Sequence, residues 1–126
     1  DGAAAFGFDV AEIAVAEGFL PDTISTDYYL HHYSNRLDHD VPHIVSKMIE
    51  VGMTAEQCWP RVTFLPARVL GLSDTIGRLE AGAVADLCVV KLRDEVEPMV
   101  DSRGEFRMGR RWRPVAVVKG GVCVLR

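Results

Sequence analysis

Apolar side chains at Phe6, Val10, Ile13, Ala14 and Ala16 recur at helical spacing. The spacing predicts a helix over residues 6 to 17, stopped by Gly18. A turn at Pro21-Asp22 leads into Thr23-Ile24-Ser25-Thr26, a β-branched run closed by Asp27. That composition predicts a short strand, and its lack of alternation predicts one covered on both faces. Residues 28 to 40 show no period and read as a loop. Asp40 is placed to cap the next helix, with Pro42 in its first turn. Ile44, Val45, Met48 and Ile49 form the inner stripe of that helix, and Gly52 ends it. Thr54, followed three residues later by Gln57, reads as a capping box that opens another short helix. Pro60 and Pro66 are expected to break the remainder into short pieces. Ala67 to Leu72 reads as a last helical turn ending near Gly71.

The pattern changes after residue 76. Gly77 to Gly82 reads as a turn, and Leu87-Cys88-Val89-Val90 as a buried strand. Residues 93 to 113 read as charged and irregular, with Gly104 and Gly109 as turn points. Val115 to Val118 and Val122 to Leu125, joined through Lys119-Gly120-Gly121, predict a β-hairpin. The first 72 or so residues are therefore helix-strand-helix and the last 50 are β.

Length and composition narrow the class. The chain has 126 residues, 48% hydrophobic and 25% charged, with a formal net charge of −4. It can bury a core, and its acidic balance argues against a nucleic-acid or anionic-membrane binder working by bulk charge. No apolar run approaches the roughly 20 residues of a membrane span. The opening Asp1, without a basic flank, does not read as a signal peptide. Its direct entry into an apolar pattern reads as the tail of a larger protein. Cys58, Cys88 and Cys123 are widely spaced and read as small buried hydrophobes of a reducing compartment, not as a disulfide framework.

Asp27 is the sharpest chemical candidate, because residues at the C-terminal ends of barrel strands face the active site. The plainer alternative is a turn cap. His31, His32, His39 and His43 lie close together and raise the possibility of a metal-sensing loop. Surface or substrate-loop histidines are the preferred reading, with Tyr28, Tyr29 and Tyr33 suited to a pocket wall. The basic run Arg103, Arg107, Arg110, Arg111 and Arg113, with Phe106 and Trp112, lies beside Asp94, Glu95, Glu97, Asp101 and Glu105. A solvated, self-paired hairpin is favoured there over a phosphate or nucleic-acid site. Cys58, on a probable helix with no clear base, reads as core.

Several segments resemble the amidohydrolase superfamily. Gly77-Arg78-Leu79-Glu80-Ala81-Gly82-Ala83-Val84-Ala85-Asp86-Leu87-Cys88-Val89 is similar to its G-x-L/I-x-x-G-x-x-A-D-L-x-V segment. Thr63 to Leu72 resembles T-x-N-P-A-x-x-L-G-L, with Leu65 where Asn is usual, and Pro114 to Val124 resembles the closing P-V-x-x-V-x-x-G-x-V. Three further segments resemble the dihydroorotase-like amidohydrolase/deacetylase branch: Leu20 to Asp27, Asp40-Val41-Pro42 with Ser46-Lys47, and Asp101-Ser102-Arg103-Gly104.

The resemblance implies an α/β fold. Residues 1–75 would be the last part of a TIM-like (β/α)8 barrel, and residues 76–126 the C-terminal strands of a small composite β-sandwich. It implies a cytoplasmic hydrolase that cleaves an amide, cyclic amide or acyl ester through water activated by a divalent metal, zinc in the first place. Asp27 would contact the metal and shuttle the proton, and Tyr28, Tyr29, His31 and His32 would line the substrate pocket. The family's other ligand motifs do not occur in this chain. Residues 1 to 8 also lack the His of the branch's G-H-G. A single carboxylate does not hold a catalytic zinc, so the chain alone is expected to be inactive and to bind no metal itself. It would need the rest of the barrel or self-association. The alternative expectation is a non-catalytic oligomerising domain derived from such an enzyme, with Val10, Ile13 and Ala14 facing a partner chain.

Overall fold

The computed structural model describes residues 6–28 and 40–125. Within them, helices α1 (Phe8–Ala16), α2 (Val41–Glu50), α3 (Ala55–Val62) and α4 (Phe64–Val69) precede an antiparallel sheet. Its strands β1 (Leu87–Val100), β2 (Phe106–Lys119) and β3 (Val122–Leu125) pair in the order β1-β2-β3.

Local chemistry sets the helix ends. Asp40 accepts the His43 backbone N–H at 2.7 Å to start α2. Thr54 and Gln57 form the reciprocal capping box of α3, at 2.8 and 3.3 Å. Three helices stop in the same way. Phe19, Met53 and Leu72 donate their amides back to Ala14, Met48 and Ala67, across the left-handed glycines Gly18, Gly52 and Gly71. The stretch does fall into two short helices, as expected, but they part at Thr63 and not at the prolines. Pro60 lies inside α3, which continues to Val62. Its missing N–H removes one bond of the ladder only two residues before the helix ends. Pro66 is the third residue of α4, where the amide would have no intrahelical acceptor.

The sheet corrects three further expectations. Residues 93 to 113 are not irregular: they form most of two 14-residue strands, joined by a turn at residues 101 to 105. Breaks in register between Val89 and Val90, and between Leu92 and Val96, interrupt the alternation that would reveal a strand. Gly104 does sit in the turn, whereas Gly109 lies within β2 opposite Glu97. A Cβ at Gly109 would run into the Glu50 carboxylate on α2. Leu87, Cys88 and Val89 are exposed rather than buried. The predicted β2–β3 hairpin is present, and Asp86 fastens its turn through Gly120 N (2.7 Å) and Lys119. Thr23–Thr26 forms no strand, because β-branched residues favour an extended chain but a ladder needs a neighbour, and no described segment pairs with it.

One core joins the helices to the sheet. Phe8, Val45, Val51, Met53, Cys58 and Met99 are buried together, and Trp59 meets Trp112 edge-on at 5.4 Å. A buried aromatic such as Phe8 contributes roughly 1.5–3 kcal/mol. Val10 and Ile13 of α1 stay exposed.

Two polar junctions fix the helices on either side of Asp27 to the same hairpin. On the α1 side, the buried Asp101 carboxylate accepts backbone N–H groups from Phe8 (3.1 Å), Arg103 (2.8 Å) and Glu105 (2.9 Å). Burial pushes the Asp101 carboxyl upward, but these donors favour the ionised form and its pKa ends below the ordinary 3.8. Ser102 exchanges hydrogen bonds with the Phe6 backbone at 3.2 and 2.5 Å. On the α2 side, buried Ser46 accepts from Trp112 N at 2.9 Å while donating to Pro42 O at 2.7 Å. Buried Lys47 donates to Val100 O at 2.5 Å. The S-K and D-S-x-G segments thus both tie helices to the sheet through hydrogen bonds of buried side chains.

Candidate functional site

Asp27 lies between these anchored flanks, at the end of a segment with few supports. Leu20 and Ile24 pack against the edge of the core. Ile24 N donates to Arg61 O at 2.9 Å, and Arg61 Nε donates to Pro21 O at 2.6 Å. Beyond this clip Tyr28 N donates to Thr26 Oγ1 at 3.2 Å. Asp27 has φ = 50°, the single non-glycine residue at positive φ among the described residues. Aspartate tolerates this region better than most residues, yet it is sparsely populated and costs energy. Asp27 is exposed, and so is Tyr28, at 47%. A carboxylate exposed to solvent has oxygens that can accept a hydrogen bond or be supplied to a cation.

Of the other predicted site residues, Tyr29, His31 and His32 lie outside the described residues, as do Tyr33 and His39. His43 is buried in the first turn of α2. Among the described residues, no three His, Cys, Asp or Glu side chains gather as a metal site. Asp27 alone does not satisfy a zinc ion, which usually has three protein ligands in catalytic sites. The described residues therefore do not by themselves fit the expected metal.

The basic run is self-paired, though not wholly within the hairpin. Arg110 meets Asp94 at 2.8 Å and Arg113 meets Glu97 at 3.0 Å, while Arg103 and Arg107 reach across to Asp9 and Glu12 of α1 at 3.1 and 2.9 Å. Arg111 is buried beside Glu97 at 3.5 Å. The cysteine expectation holds only for Cys58, since Cys88 and Cys123 are exposed. Burial pushes the Cys58 thiol up to about 11 against a smaller opposing effect of Arg61, so it stays protonated and un-nucleophilic near neutral pH. The hold of Arg61 on this segment escapes a reading of the sequence, because the carbonyl its Nε meets is 40 residues away.

No helix among the described residues is long and apolar enough to cross a membrane. The model of the family described as "Amidohydrolase family" matches residues 3–123. A deacetylase of Agrobacterium fabrum is 39% identical over 98% of this chain and 30% of its own length. A deacetylase of Enterococcus faecalis is 33% identical over 95% of this chain and 32% of its own. Among solved structures, an adenine deaminase superposes with a TM-score of 0.88 at 32% identity, covering 99% of this chain and 34% of that one. A dihydroorotase superposes at 0.84 with 36% identity, covering 98% and 33%. The chain thus spans about a third of the length of the proteins it resembles. With a family match across nearly all its residues, and with relatives and folds agreeing over the same span, the chain belongs to the amidohydrolase family.

Proposed function

We propose that this chain is the C-terminal portion of a metal-dependent amidohydrolase that hydrolyses an amide, with deacylation as its reaction. The similarity to two deacetylases over 95–98% of the chain supports the reaction class. The observation that carries the site is Asp27, an exposed carboxylate on a left-handed backbone just past the β-branched run Thr23–Thr26. In this reading residues 1–75 supply the last part of a (β/α)8 barrel and residues 76–126 supply sandwich strands. The unpaired segment Thr23–Thr26 is the last barrel strand, whose ladder neighbours lie in the remainder of the enzyme.

Asp27 accepts the proton of the attacking water and delivers it to the nitrogen of the departing amine, so that one carboxylate serves as base and then as acid. Tyr28, Tyr29, His31 and His32 form the adjoining wall of the substrate pocket. A divalent ion, zinc in our reading, would lower the pKa of a bound water toward neutrality. Asp27 offers it one oxygen, and the other ligands belong to the rest of the enzyme. A cyclic amide or an acyl ester is cleaved by the same chemistry.

The test is turnover by the full-length enzyme on N-acetylated amines, a cyclic amide and an acyl ester, before and after stripping with dipicolinate. The expected result is amide hydrolysis that is lost on stripping and restored by zinc, with none from the 126-residue chain alone. Turnover indifferent to stripping, or sustained by the isolated chain, would overturn the reading.

A further inference from the structure

Arg61 is the penultimate residue of α3, where carbonyl groups have no amide one turn ahead to accept from. Its carbonyl is therefore available, and Ile24 N uses it at 2.9 Å. Its guanidinium supplies a second hold on the same segment, with Nε donating to Pro21 O at 2.6 Å. Nη1 donates to Gln57 O at 2.7 Å, which ties the side chain back onto its own helix. Gln57 belongs to the capping box, so the helix that carries the clip is fixed at its opposite end. One half-buried residue thus brackets Pro21 to Ile24 through main-chain atoms, and Asp27 follows three residues later. No described strand pairs with this segment, so the usual ladder support is absent among the described residues.

We infer that Arg61 is a positioning residue for Asp27. Its guanidinium fixes where the extended segment leaves the helical body, and hence where the carboxylate stands relative to substrate. The inference rests on the reading of Asp27 as the proton-transfer group. A planar guanidinium with several fixed donors can bridge two carbonyls, whereas an ammonium on a flexible stem holds them less rigidly. Arg61→Met removes both side-chain bonds while keeping the apolar stem, and it leaves the backbone bond to Ile24 possible.

The experiment compares Arg61→Met, Arg61→Lys, Thr54→Ala and Asp27→Asn in the full-length enzyme. It reads kcat and KM, together with amide hydrogen exchange across residues 21–28. Arg61→Met is expected to lower kcat by about tenfold at little-changed KM, and to speed exchange across 21–28 by a similar factor, as loss of a charge-assisted hydrogen bond implies. Arg61→Lys should recover part of both. Thr54→Ala, which weakens the same helix at its other end, should move neither beyond its effect on global stability. Unchanged kcat and exchange in Arg61→Met, with Asp27→Asn inactive, would sink the positioning role alone. An active Asp27→Asn enzyme would sink the reading of Asp27, and the exchange data would still decide whether Arg61 holds the segment. Should Arg61→Met fail to fold, Arg61→Lys carries the same two readouts.

Discussion

Asp101, at the turn between β1 and β2, and Asp27, on a left-handed backbone, are aspartates that the fold treats in opposite ways. Asp101 is buried beneath α1 with three backbone amides on its oxygens, at the junction that joins α1 to the sheet. Asp27 is exposed with its backbone in the left-handed region, past a segment held mainly by Arg61. The contrast separates two tasks. A carboxylate surrounded by donors stabilises the fold and has little freedom to exchange protons, because its ionised form is locked in. A carboxylate left open on an anchored scaffold can take up and release a proton in a reaction.

The comparison breaks if the anchored aspartate proves dispensable. Asp101→Asn retains one acceptor oxygen but turns an amide group toward backbone donors, and should lower stability by about 2 kcal/mol at neutral pH. Thermal or urea unfolding checks this. The pH dependence has a definite sign. The Asp101 pKa is depressed in the folded chain, so its contribution is present above its ordinary value of 3.8 and is lost as pH falls below that. The gap between the native chain and Asp101→Asn should therefore be widest near neutrality and close below about pH 4. A smaller effect sharpens the contrast. Thr54→Ala removes the capping box that supports Arg61's helix and should cost about 1 kcal/mol of stability, measurable by the same unfolding curves.

Most helix boundaries were legible in the sequence because caps are local: Asp40, Thr54 with Gln57, and the stops at Gly18, Gly52 and Gly71 act within one turn of themselves, whereas α4, which has no side-chain cap, starts at Phe64 and not at the expected Ala67. The long strands were not. Charges fall on both faces of residues 91 to 113, and the register breaks erase the period of two. What compensates those charges, Arg110 with Asp94 and Arg113 with Glu97, appears only once β1 and β2 are paired. Thr23–Thr26 shows the reverse case: its composition favours an extended chain, and no described segment supplies the ladder that would make it a strand here. Asp27 could be singled out from its place after an apolar run and from family resemblance. Its backbone conformation and its support by Arg61 could not, because both depend on contacts distant in sequence.

The most direct measurement is kcat for Asp27→Asn in the full-length enzyme, read alongside metal content and melting temperature. Asparagine also tolerates the left-handed region, so the melting temperature should stay within a degree or two, an effect below about 0.5 kcal/mol. The account predicts a fall in kcat of about a hundredfold or more, the scale of a lost general acid–base group. A folded, metal-replete Asp27→Asn enzyme with kcat near that of the native protein would contradict it.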